Sequence, residues 1–354
     1  MAMQPVLSRL EPIFSPRIWG RRSLSPWYPE KVNLPEPIGE AWVTAFESRL
    51  TNGPYAGKTL REAWRAMPAE WRGQRHTALA EFPVLIKFLF PNDNLSIQVH
   101  PDDAYAAKHE QAAGGRGKTE MWHMVSVERG AEILFGLKPG VNREQFRSAL
   151  QTNTVEELLE HVLVQTGDTY FVATGTQHAL GAGLVVCEVQ EYSDLTYRVY
   201  DFGRVDASGK PRELHVQKAM EVTNFNGARG GKMSPLALHS PDANKHLLAA
   251  CEYFATERWD CTKTTPIESD EAEFQLFVIL SGSGAFYDAE QQFAFRPGEA
   301  WFFPANLPTV LLQPNGACSV LRVTVPDICV LRRQLRNQGF EETAIARVLV
   351  SENQ

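Results

Sequence analysis

From Phe82 onward the chain alternates short apolar runs with polar turns. VLIKFLF, LSIQVH, TEMWHMV and AEILFGL each carry four to seven residues of strand texture, bounded by Pro, Asn, Asp or Gly. Runs of this length and spacing predict strands. Ahead of them, up to about Ala80, short apolar segments mix with Pro- and Gly-rich turns. There TLREAWRAMPAEWR (59–72) sets Leu60, Ala63, Trp64 and Met67 at helical spacing, and Pro68 interrupts it. Residues 142–164 also read as helical, through Phe146, Leu150, Val155, Leu158, Leu159 and Val162. Thr154 and Glu157 stand at capping-box spacing and predict the start of a second helix there. Strands return in TYFVA, HALGAGLVVCEVQ and LTYRVYDF, and RELHVQKAMEVTNF (212–225) predicts a helix. The Gly-, Ser- and Pro-rich stretch 226–237 predicts a domain boundary. A second β-rich block follows, and DICVLRRQLRNQGFEETAIARVLV predicts two short helices divided by Gly339. The expected domains are 1–235, with helical insertions, and 236–354, with a helical tail.

A faint repeat links the two blocks. GDTYFVATGTQHAL begins at Gly167 and GEAWFFPANLPTVL at Gly298. Both place a turn glycine before an aromatic strand, which resembles the cupin half-motif G-x5-P-x-G-x2-H. Gly167, Gly175 and His178 fit it, with Ala173 in place of proline. Gly298 and Pro304 fit it, with Asn306 and Thr309 in place of the glycine and histidine. The expected fold is therefore mainly β: two cupin-like β-barrels (jelly rolls) with inserted and C-terminal helices. The first carries metal ligands and the second carries none.

Composition narrows the function. At 354 residues, 44% hydrophobic, the chain is long enough for two domains with a sizeable core. A net charge of -7 argues against nucleic acid or an anionic membrane as partner. Five cysteines without a CxxC pair read as reduced thiols of a cytoplasmic protein. The start, MAMQPVLSRLEPIF, lacks signal-peptide character, and the apolar runs fall short of a membrane span.

The chemistry concentrates in LSIQVHPDDAYAAKHEQAAGGRGKTEMW (95–122). On a strand, side chains two apart share a face. Gln98 therefore faces with His100, and Lys118 with Glu120. With His178 they offer two imidazoles, one carboxylate and one amide oxygen. That set suits Zn²⁺, and Mn²⁺, Fe²⁺ or Co²⁺ are also compatible with it. Ser96 shares the inward face as a neutral donor. Lys87 interrupts the apolar run VLIKFLF, either as an edge guard or as a pocket cation. Glu188 and Gln190 share a face in CEVQ. Asp194 and Arg198 follow at a turn and on the next strand, giving an acid–base candidate and an anion clamp. His76, His109, His123, His161, His215, His239 and His246 read as structural or surface residues.

Over most of its length the sequence resembles the type I mannose-6-phosphate isomerases, of the shorter bacterial kind. The resemblance runs from LEPIFSPRIWG and IGEAW through FPVLIKFLFPNDNLSIQVHPDDAYA. It is strongest in GKTEMW, GTQHALGAG and EVQEYSDLTYRVYDFGR, and it extends to RELHVQKAMEVTNF. It implies one zinc ion per chain on Gln98, His100, Glu120 and His178. It also implies a catalytic arginine at Arg198, an active-site lysine at Lys118, and pocket positions at Ser96, Lys87, Glu188 and Asp194. The departures are Gln177 before the last ligand, EYSD where QNSD is common, and Ala173 in the turn; none removes a ligand or charge.

The reaction so implied interconverts mannose 6-phosphate and fructose 6-phosphate through an enediol, with Glu188 or Lys118 as proton shuttle. Two other classes fit the same residues. One is a different metal cupin, such as a dioxygenase or decarboxylase. The other is a non-catalytic sugar-phosphate-binding protein. In the isomerase and sensor readings the expected partner is a small sugar phosphate.

Overall fold

The computed structural model describes residues 4–205, 208–288 and 291–350. The strands of the first half are β1 (Ser8–Leu10), β2 (Ile13–Arg21), β3 (Ile38–Trp42), β4 (Val84–Leu89), β5 (Ile97–Val99), β6 (Glu120–Val127), β7 (Glu132–Leu137), β8 (Leu159–Leu163), β9 (Thr169–Val172), β10 (His178–Leu180), β11 (Leu184–Glu191), β12 (Tyr197–Tyr200) and β13 (Gly230–Lys232). Those of the second half are β14 (Leu236–Leu238), β15 (Asn244–Ala250), β16 (Ala255–Cys261), β17 (Thr265–Ile267), β18 (Gln275–Ser281), β19 (Gly284–Tyr287), β20 (Gln292–Phe295), β21 (Ala300–Phe303), β22 (Val310–Pro314) and β23 (Cys318–Thr324).

Each half pairs a seven-stranded sheet with a smaller one; the large sheets match position by position, and the four-stranded small sheet matches four of the five strands of the other. The large sheets run β13-β9-β6-β11-β4-β3-β2 and β1-β21-β18-β23-β16-β15-β14. The small sheets run β12-β5-β10-β7-β8 and β17-β22-β19-β20. The repeat seen in the sequence is thus a repeat of topology. Its turn glycines sit at equivalent corners: Gly167 donates to Met124 O at 2.8 Å and Gly298 to Ile279 O at 2.9 Å. Both take positive φ, 91° and 85°, where only glycine is free of strain. One strand crosses over. The N-terminal β1 edges the second large sheet, pairing Arg9 with Trp301, in the place that β13 holds in the first.

Alternation along each strand assigns the two faces. On β4, Val84, Ile86 and Phe88 join a core shared with Leu276, Val278, Phe302 and Val323 of the other large sheet. The two large sheets therefore pack back to back. Leu89 of β4 points the opposite way, into a cluster with Trp122, Met124, Phe135 and Leu180 between the first pair of sheets. An equivalent cluster built on Phe277, Phe286, Trp301 and Phe303 fills the second pair.

The helices are shorter than their patterns predict, for local reasons. The helix begun at Arg143 stops at Thr152 because Asn153 enters the left-handed region at φ 58°. Val155–Leu158 is a 3-10 turn, and Thr154 makes no side-chain cap bond there. Leu159–Leu163 is a strand, since pairing with β7 outweighs its helical spacing. The expected helix over 212–225 is confined to Val216–Val222. The 59–72 segment divides as expected into Leu60–Ala66 and Ala69–Arg72. The tail forms Ile328–Asn337 and Glu342–Ile345, with Gly339 between them at φ 88°. None of the five cysteines is in a disulfide. Among the described residues no helix is long and apolar enough to cross a membrane.

Candidate active site

Strand register builds the site as two facing rows. Across the small sheet, Arg198 of β12 pairs with Gln98 of β5, and Gln98 pairs with His178 of β10. Across the large sheet, Trp42 pairs with Lys87, Lys87 with Glu188, and Glu188 with Trp122. One step along, Gln190 pairs with Glu120. Side chains that share a row in a sheet lie close together, so residues far apart in sequence meet between the sheets.

At the floor, His100, Glu120 and His178 converge, with one potential ligand atom from each within 4.8 Å of the others. All three are buried. His100 Nδ1 donates to Leu195 O at 2.8 Å and His178 Nδ1 to Thr176 O at 2.9 Å. A carbonyl can only accept, so each Nδ1 carries the proton and each Nε2 presents a lone pair. Those Nε2 atoms lie 3.6 and 3.5 Å from the two Glu120 oxygens. Burial, with Lys118 beside His100, lowers the His100 pKa, and burial with His100 nearby lowers that of His178 to about 3. Burial works against ionisation of Glu120, but the charge of Lys118 holds its carboxyl well below the usual range. Its Oε1 is buried without a hydrogen-bond partner. Neutral imidazoles with outward-anchored Nδ1, facing an ionised carboxylate with an orphaned oxygen, fit a divalent cation. Gln98 Nε2 lies 3.3 Å from His178 Nε2. A half-turn of the amide would bring its oxygen to the same place.

Lys118 reaches both Glu120 and, at 3.3 Å, His100 Nε2. Glu188 lies 3.9 Å from Lys118 and 3.8 Å from Lys87, and accepts from Trp122 Nε1 at 3.1 Å. Burial and the charge of Glu120 push its carboxyl up to about 7, against the pull of the two lysines. Lys87 bonds Asp194 at 2.8 Å. Although burial opposes it, Asp194 raises the Lys87 pKa, and Lys87 in turn lowers that of Asp194.

A cavity of about 460 Å³ opens above this floor. Ser96, Gln98, Lys87, Lys118, Glu188, Asp194 and Arg198 all line it, so every proposed substrate or catalytic position meets in one space. Arg198 Nη1 donates to Glu213 O at 2.9 Å. Its backbone N–H donates to His215 Nδ1 at 3.1 Å, which makes His215 a support of the site. Arg17, Glu40 and Arg212 also line the cavity, and the sequence motifs do not single them out. For Arg17 and Glu40, lone charges in the otherwise apolar strands IFSPRIWG and IGEAW are the available signal.

Two family descriptions match the chain: phosphomannose isomerase type I, catalytic domain, over residues 7–121, and mannose-6-phosphate isomerase, cupin domain, over 243–325. The mannose-6-phosphate isomerase ManA of Bacillus subtilis is 32% identical over 331 residues, spanning 90% of this chain and 99% of its own. The chain belongs to the type I phosphomannose isomerase family. A Streptococcus mutans mannose-6-phosphate isomerase is 33% identical, covering 84% of this chain and 95% of its own. The crystal structure of the Bacillus subtilis enzyme superposes with a TM-score of 0.82 at 31% identity, over 90% of this chain and 99% of that one. A mannose 6-phosphate isomerase bound with zinc and yttrium shares the fold, with a TM-score of 0.69 at 18% identity over 90% and 98% of the two chains. As in the other phosphomannose isomerases, the fold here is mainly β and cupin-like.

Proposed function

We propose that this chain interconverts mannose 6-phosphate and fructose 6-phosphate, with one zinc ion held by His100, Glu120, His178 and Gln98. The observation that carries the reading is the contact, through Lys118, between a metal-fit triad and the cavity lined by Glu188, whose carboxyl burial and the charge of Glu120 push up to about 7. Moving a proton between C1 and C2 needs a base of that strength next to positive charge. When bound, the metal ion supplies Lewis-acid stabilisation of the enediolate.

The chain's own groups do the rest. Glu188 takes the proton from one carbon and returns it to the next. Trp122 fixes one of its oxygens, so the other faces the sugar. Lys118 donates toward the substrate oxygens beside the metal ligands. Arg198 balances charge from the opposite sheet. Ser96 and the Lys87–Asp194 pair orient hydroxyls. The same reading divides the chain into two cupin barrels, 1–235 and 236–354, supported by their matching strand orders. The second barrel is read as ligand-less.

A coupled assay for fructose 6-phosphate, run with an oxygen electrode, tests this. Product formation without oxygen uptake is expected. Oxygen consumption, or tight binding of the sugar phosphate without turnover, would replace the reading with a dioxygenase or a sensor.

A further inference from the structure

The cations of the cavity fall into two groups with different charge balance. At the floor, Lys87 and Lys118 face Asp194, Glu188 and Glu120, so both are compensated. At the mouth stand guanidiniums. Arg17 forks onto Glu40, with Nε to Oε1 at 3.0 Å and Nη2 to Oε2 at 2.9 Å. Arg212 and Arg204 share the single carboxylate of Asp201; Arg204 reaches Asp93 only at its exposed edge, 3.3 Å away. Arg198 forms no ion pair among the described residues, and its Nε is buried without a partner. Burial and the positive charges of Arg212, Arg204 and Arg17 lower its pKa, against the pull of Asp201, and Arg17, Arg198 and Arg212 line one volume. The mouth therefore carries excess positive charge, while the floor without its metal ion does not.

We propose that Arg17 and Arg212, beside Arg198, form a phosphate subsite at the cavity mouth. The proposal rests on the isomerase reading, because it takes the substrate to be a sugar phosphate. In a hexose 6-phosphate the reacting C1–C2 pair and the phosphate lie at opposite ends of the carbon chain. With C1–C2 over the triad at the floor, the phosphate end points out toward the mouth. A phosphate monoester is close to dianionic at neutral pH, and guanidinium forks bind such oxygens in pairs. Arg17 and Arg212 remain part-exposed, with side-chain exposures of 31% and 22%, so their outer N–H groups can still take a ligand. Their carboxylate partners fix them in place without neutralising the cluster. Arg198 spans the two ends, since its backbone shares the Gln98 row.

The test is steady-state kinetics of the metal-loaded enzyme with mannose 6-phosphate and with unphosphorylated mannose, plus inhibition by inorganic phosphate. In Arg17→Gln and Arg212→Gln, KM for mannose 6-phosphate and Ki for phosphate are expected to rise at least tenfold. The rate constant kcat and turnover of mannose should stay within about threefold, and metal content should be unchanged. Equal losses on both sugars, or an unaltered phosphate Ki, would overturn the subsite and leave the isomerase reading standing. A wild-type enzyme inert toward mannose 6-phosphate would instead overturn that reading; calorimetric binding of inorganic phosphate to the wild type and the two variants would still decide the subsite. Should a glutamine variant misfold, Arg17→Lys and Arg212→Lys keep the charge but lose the fork. They are expected to show a smaller rise in the same two constants, and no rise would count against the proposal.

Discussion

Glu188 and Glu120 are both buried carboxyls on adjacent strands of one sheet, yet their environments push them opposite ways. Lys118 keeps Glu120 ionised, whereas burial and Glu120 itself raise Glu188 to about 7. The proposed function rests on that split: Glu120 as a fixed anion for the cation, and Glu188 as a group that exchanges protons. Because the raised carboxyl is protonated below its pKa, kcat/KM should fall as pH drops on an acid limb at or below pH 7; the positive metal ion moves the limb downward. Glu188→Gln should abolish turnover and leave metal content intact. A pH profile flat from 5 to 8 would remove Glu188 as the base. Arg198→Ala should keep the metal but lose about 3–4 kcal/mol of transition-state stabilisation, two to three decades in kcat/KM. Loss of metal in that variant would mean Arg198 is structural.

At the scale of elements, strand period and turn chemistry made the site legible. Gln98, His100, Lys118, Glu120 and His178 lie on or beside short alternating strands whose faces follow from spacing alone. Arg17, Glu40 and Arg212 were not legible in that way. Arg17 and Glu40 reach the cavity through the pairing of β2 with β3 and of β3 with β4. Arg212 lies in a segment of helical spacing but ahead of the helix, which begins at Val216, its guanidinium held on Asp201. Pairing over long sequence distance overrides local pattern in both cases, as it does in β8. The histidine of β6 carries an element-scale prediction. His123 is buried, bonded to Thr169 of β9 at 2.9 Å, and burial lowers its pKa to about 3. The unfolded chain, with an ordinary value near 6.5, binds the proton first as pH falls. Stability is thus full above pH 6.5 and lost progressively below it. His123→Gln should flatten the fall in melting temperature between pH 7 and pH 5. An unchanged slope would place the acid sensitivity elsewhere.

In the whole molecule, the second pair of sheets repeats the first but inverts its charges. Gln275 opens β18 and pairs with Phe303, as Glu120 opens β6 and pairs with Val172. By the same registers Arg322 stands where Glu188 does, and Glu257 where Lys87 does. Arg322 binds Glu257 at 2.8 Å and Gln275 Oε1 at 2.7 Å. The amide oxygen that might have faced a ligand is thereby occupied, and the network ties β16, β18 and β23 together. Arg322→Met leaves Glu257 largely buried without its cation and should destabilise the protein by about 2–3 kcal/mol, with kcat within twofold. A stable variant with altered kcat would mean that the second half communicates with the cavity.

Zinc titration of chelator-stripped protein, followed by turnover of mannose 6-phosphate and by metal content, tests the central claim most directly. Wild-type activity should rise linearly to one equivalent of metal and then level off. The His100→Ala protein should take up no stoichiometric metal and show no turnover. Full activity in the stripped wild type, or wild-type activity in His100→Ala, would contradict a metal-dependent isomerase centred on His100, Glu120 and His178.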